Sequence, residues 1–99
     1  MQSIPTWRPE PEPVRIRCQL ITKGPQSNEL IVQFKIDGDE FTAFVPEQFV
    51  DQLNKTLAGF IVADFGDSWL IDIPSETLTS GSRIRVPQTE KQSVIMLAA

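Results

Sequence analysis

At 99 residues the chain has room for one domain and one modest core, domains running most often to about 100–150 residues, and its longest apolar runs fall far short of the ~20 residues that span a bilayer. It has no histidine and a single cysteine, Cys18, which excludes Ser-His and Cys-His nucleophile systems, an intramolecular disulfide and a multi-cysteine zinc site. A net charge of −4 argues against general affinity for phosphate backbones.

Residues 1–13 carry prolines at 5, 9, 11 and 13. Proline fixes φ and pushes the residue before it toward extended geometry, so this stretch is expected to be a stiff N-terminal arm. Trp7 sits in it, either to dock on its own domain or to be offered to a partner. The arm has no apolar secretory segment, and with the lone thiol this sets the expectation of a reducing cytoplasm.

Strand patterning begins at Val14. Val14, Ile16, Cys18 and Leu20 alternate with Arg15, Arg17 and Gln19, a period of two. Residues 24–28 are loop-formers. Leu30, Val32, Phe34 and Ile36 mark a second strand, and Asp37-Gly38 marks a hairpin turn into residues 40–45, because tight hairpin turns demand positive φ. Pro46, Glu47, Phe49, Val50 and Leu53 suggest one short helix near 46–54. Residues 57–65 are apolar on both faces, as expected of a central or covered strand. Trp69, Ile71 and Ile73 share one face of the next strand. Residues 74–81 read as a loop in which Leu78 plugs one end of the core, and residues 82–86 as the closing strand. The tail, 88–99, begins polar and ends apolar, a candidate added strand. The expectation is therefore a mainly β fold: a small, strongly bent antiparallel sheet or barrel, SH3-like or OB-like, of about six strands with one short helix. Its domain would be residues 14–87.

Two strand candidates carry paired arginines. Alternate side chains share a face, and the apolar neighbours take the core, so Arg15 and Arg17, and likewise Arg83 and Arg85, must look outward. First and last strands often lie side by side in small barrels. If so here, the four guanidiniums meet within roughly 5–10 Å, the spacing of cross-strand neighbours. Such a patch needs carboxylates or phosphates between its members, from the acidic middle segment or from another molecule. The plainer alternative is a solvated strand face, or edges protected by charge.

The remaining motifs carry less. Asp37, Asp39 and Glu40 lie at a hairpin tip and lack the spacing of a calcium loop. Asp64, Asp67 and Asp72 could converge weakly on a cation. Cys18 on an apolar face behaves as a small hydrophobe. No cofactor is expected. Apolar side chains in excess of one core's needs suggest a partner interface or self-association. The leading expectation is a non-catalytic protein-binding module, an accessory subunit or homodimer, that uses Trp7, Arg15, Arg17, Arg83, Arg85 and an apolar edge. The alternative is a nucleic-acid-binding barrel using the same arginines, which the acidic total and the absence of tyrosine disfavour.

Overall fold

Alternation along the sequence becomes alternation of burial. The computed structural model describes residues 4–79, 81–90 and 93–96, and in it nine strands form one curled antiparallel sheet. They are β1 (Thr6–Arg17), β2 (Leu20–Lys23), β3 (Glu29–Ile36), β4 (Asp39–Pro46), β5 (Val50–Asp51), β6 (Thr56–Asp64), β7 (Ser68–Thr77), β8 (Gly81–Pro87) and β9 (Val94–Met96). Val14 and Ile16 of β1, Leu30, Val32, Phe34 and Ile36 of β3, and Phe41, Ala43 and Val45 of β4 all turn inward and are buried. Phe34 and Phe41 stack with ring centroids 5.3 Å apart. Burying each of the larger of these side chains contributes about 1.5–3 kcal/mol.

The strand path runs β2-β3-β4-β7-β6-β1-β9, with β5 beside β6 and β8 beside β7. β2 at one end of this path and β1, one strand from the other end, are nevertheless consecutive in the chain, joined only through Cys18 and Gln19. The Cys18 N–H donates to the Lys55 carbonyl at 2.8 Å, and the Gln19 N–H donates to the Gln33 carbonyl at 2.7 Å. One bent segment thus pairs with β6 before the bend and with β3 after it, which curls the ribbon into a half-barrel. β7 is shared in the same way. Residues 69–72 lie between β6 and β8, and Thr77 pairs with Ala43 of β4.

The Asp37-Gly38 turn is a two-residue hairpin, both residues at positive φ (51° and 87°), as the primed turns matching strand twist require. β6 is central, between β1 and β7. A bulge between Ile61 and Ala63 lets Ile61, Val62 and Ala63 all be buried in succession, which is why its sequence reads as apolar on both faces.

Four expectations need correction. The helix near 46–54 is a single 3₁₀ turn, Glu47–Phe49. Val50 and Asp51 then pair with Leu57 and Thr56, and so short an apolar stripe cannot outweigh that ladder. Leu78 is 67% exposed at the β7–β8 turn and plugs nothing. The six strands become nine, because β2, β5 and β9 are short pieces. Finally, the proline-rich residues are not a separate arm but the first half of β1. Thr6 and Trp7 pair with Asp64 and Ala63, residues 8–11 loop out of register, and pairing resumes at Glu12 opposite Ile61. Looping out places Pro9 and Pro11 where no ladder donor is needed. Residues 1–3 of that arm, and 91–92 and 97–99 of the tail, lie outside the described residues. Among the described residues no helix is long and apolar enough to cross a membrane.

Gly59 of β6 sits where the sheet's interior leaves little room for a side chain. A Cβ there would stand 3.1 Å from Ile71 Cγ2 and 3.3 Å from the Asp72 carbonyl oxygen. Gly59→Val should therefore destabilise the fold by about 1–3 kcal/mol through overpacking, read as a lower urea midpoint. An unchanged midpoint would show that β6 and β7 can move apart.

Candidate functional site

The four arginines do point outward, but they do not meet. β1 is flanked by β6 and β9, whereas β8 is flanked by β7. Two strands, β6 and β7, therefore stand between the arginine pairs, a separation of roughly 14 Å at ordinary strand spacing. The strand beside β1 is the short β9, with Ile95 opposite Arg15. This corrects the expectation of one four-arginine patch. The face of each pair follows from its own strand's alternation, but the neighbour of a strand does not.

At one end, Arg15 donates through Nε to Thr56 Oγ1 at 3.1 Å and through Nη2 to the Thr56 carbonyl at 3.2 Å. Arg17 is exposed and, among the described residues, forms no ion pair. With Asp51, Asn54, Thr56 and Ile95 the two arginines line a shallow cleft. Asp51 accepts hydrogen bonds from the Asn54 side chain (2.8 Å) and backbone N–H (3.1 Å), which hold its carboxyl below the usual range.

At the other end the surroundings are aromatic and acidic. Register places Arg83 opposite Asp72, Asp72 opposite Phe60, and Phe60 opposite Pro13, so all four share the outer face. Arg83 Nε donates to Asp72 Oδ1 at 2.8 Å, and its guanidinium lies over the Trp7 ring, 5.4 Å from the centroid. Since Trp7 is on β1, both long side chains must lean across the sheet to meet. Trp7 remains 53% exposed and Phe60 47%. Arg85 Nε donates to Ser68 Oγ at 2.8 Å, its Nη2 stands 3.7 Å from Asp67, and its guanidinium covers the Phe65 ring at 4.0 Å. Beside this face, Phe49, Ala58, Phe60, Ile73 and Pro74 line an apolar cleft.

Arg8 fastens the looped-out part of β1. It makes a two-pronged contact with Asp64 (2.8 and 3.1 Å) and bonds Glu12. The Asp64 hydrogen bond, and then Glu12, hold its guanidinium pKa above the ordinary value against the opposing effect of burial. Asp64, Asp67 and Asp72 thus face Arg8, Arg85 and Arg83 respectively instead of converging. Among the described residues no group of three or more carboxylate or thiol side chains is placed to hold a metal.

Such half-exposed ion pairs contribute only about 0–1 kcal/mol each. Their consequence is orientation, since each guanidinium is held by a carboxylate or hydroxyl, and those of Arg83 and Arg85 also lie against a ring. Arg83 and Arg85 were legible in the sequence as outward-facing groups, and Trp7 as either docked on its own domain or offered to a partner. The contacts of Phe60, Phe65 and Asp72 with this face were not. The outward face of Asp72 follows from its alternation with Ile71 and Ile73; its pairing with Arg83 needed the β7–β8 register.

Cys18 is buried at the β1–β2 bend, where its Sγ lies 3.7 Å from the Ile16 carbonyl. Burial raises its thiol pKa from 9.0 to about 11, opposed only in part by Arg15 and Lys55. The native state keeps its proton in a range where the unfolded chain loses it, so this group's contribution to stability is present below pH 9 and lost between about pH 9 and 11. Thiol labelling at pH 8 should proceed only as fast as the protein opens, and denaturant should accelerate it steeply. Immediate labelling of the native protein would show the bend to be accessible.

Comparison with known proteins returns no matching family model, no matching curated protein and no matching solved structure.

Proposed function

We propose that this is a non-catalytic protein-binding module, an accessory subunit or a self-associating one, whose contact surface is the outer face bearing Trp7, Phe60, Arg83 and Arg85. The observation that carries the reading is the half-exposed Trp7 ring braced by Arg83 from three strands away. Tryptophan and arginine are the side chains most enriched among residues dominating binding energy, and an aromatic held in place loses little freedom on association. The adjoining apolar cleft at Phe49, Phe60, Ile73 and Pro74 would receive an apolar side chain from the partner.

Electrostatics favours protein over nucleic acid as the partner. The chain carries a net −4, and a phosphate backbone, charged at every nucleotide, would have to approach an acidic molecule along its length. The reading places the module in the cytoplasm, in keeping with a single unpaired, buried thiol.

The test is the triple variant Trp7→Ala, Arg83→Gln, Arg85→Gln, compared with wild type after circular dichroism confirms that both are folded. A partner identified by crosslinking to the wild type should bind the variant at least about tenfold more weakly, the scale expected when an anchor side chain is removed. Undiminished affinity for every such partner overturns the proposal. So does oligonucleotide binding with a steep salt dependence that the variant loses, since the face would then serve phosphates.

A further inference from the structure

Among the described residues β8 is hydrogen-bonded on one side only, its single neighbour being β7. The Gln88 N–H donates to the Asp67 carbonyl at 3.0 Å, and register sets Pro87 opposite Ser68, hence 88 opposite 67. In an antiparallel ladder, bonded and non-bonded pairs alternate. Residues 86 and 84 therefore bond Trp69 and Ile71, while Arg83, Arg85 and Pro87 turn their backbone groups to the open side. Neither arginine makes another backbone hydrogen bond among the described residues. Pro87 has no N–H to offer, which ends the edge there.

The same two residues whose backbone is free carry the guanidiniums of the outer face. Trp7 and Phe65 brace them from behind, with ring centroids at 5.4 and 4.0 Å. A strand laid along this edge would place its own outward side chains opposite Arg83 and Arg85, at cross-strand distance. A second copy of this chain is a poor occupant. Antiparallel pairing about Ile84 sets Arg83 opposite the other copy's Arg85 twice over, gathering four like charges on one face. At the Pro87 end the conditions reverse, because Asp37, Asp39 and Asp67 line the cleft that adjoins Arg85 and Pro87.

We propose that the free edge of β8 accepts an extended segment of a partner protein as an added antiparallel strand, with carboxylates opposite Arg83 and Arg85 and a basic residue opposite Pro87. Main-chain hydrogen bonds to Arg83 and Arg85 supply the attachment, and the alternate side chains supply the selection. The inference rests on the outer face being a protein-contact surface and names the form of the segment that binds it.

Unmodified wild-type protein and four capped peptides test the idea by amide NMR. The peptide cores are KVEVE, KVQVQ, EVEVE, and KVEVE methylated on the two glutamate nitrogens. KVEVE should shift resonances centred on residues 82–86 and protect the Arg83 and Arg85 amides from exchange. KVQVQ should bind about tenfold more weakly through loss of charge-assisted pairing, EVEVE should also be weaker, and the methylated peptide should not bind. Absence of binding by KVEVE at millimolar concentration overturns the proposal. So do equal affinity of KVQVQ, retention by the methylated peptide, shifts centred elsewhere, or a concentration-dependent dimer protecting the same two amides. If the peptides fail while the triple variant still loses its crosslinked partner, the added strand is wrong and the protein-binding reading stands.

Discussion

Successive amides at Cys18 and Gln19 donate in opposite directions, one toward the β5–β6 turn and the other toward β3, and the rest of the fold depends on that reversal. A straight strand would have left two separate ladders. The bend makes one segment the shared edge of both, so that the inward faces of β1, β3, β4, β6 and β7 close over a common interior. Cys18 suits the corner because it is small and apolar, and its thiol needs no strong partner once buried. The bend also sets which strands lie in the middle. With β1 committed to β6 on one flank, the outer face of β6 and β7 becomes a floor, and long side chains from β1 and β8 reach across it.

Faces were legible in the sequence; neighbours were not. The inward sets Val14/Ile16, Leu30/Val32/Phe34/Ile36 and Ile71/Ile73 follow from strict alternation, and the Asp37-Gly38 hairpin follows from the φ its turn requires. Nothing in alternation says which strand lies beside β1, because that is settled by the bend and by three residues near the end of the chain. The helix expectation failed for a related reason: Val50 and Asp51 find partners in Leu57 and Thr56, and tertiary pairing outweighed a weak local pattern. Trp7 was recognisable as special. Its position depended on how a proline-rich stretch could rejoin a ladder, and the answer was to loop out and fasten the loop through Arg8.

On the outer face an acidic chain displays arginines that are matched locally. Each of Arg8, Arg83 and Arg85 is held by a carboxylate from a neighbouring strand or turn, and Arg83 and Arg85 are also covered by a ring. The long-range field stays low while the local geometry of each guanidinium is fixed. Under the proposed protein-binding reading, selection on such a face would come from shape and from donors at close range rather than from electrostatic steering.

β9 reaches back from the far end of the chain to cover the flank of β1 opposite Val14 to Ile16. During synthesis it is the last of the described strands to leave the ribosome, so β1 must wait with that flank bare while the rest of the ribbon is already able to curl. Arg15 and Arg17, which alternate with Val14 and Ile16, put charge along that flank, and charge on a bare strand edge opposes pairing between chains.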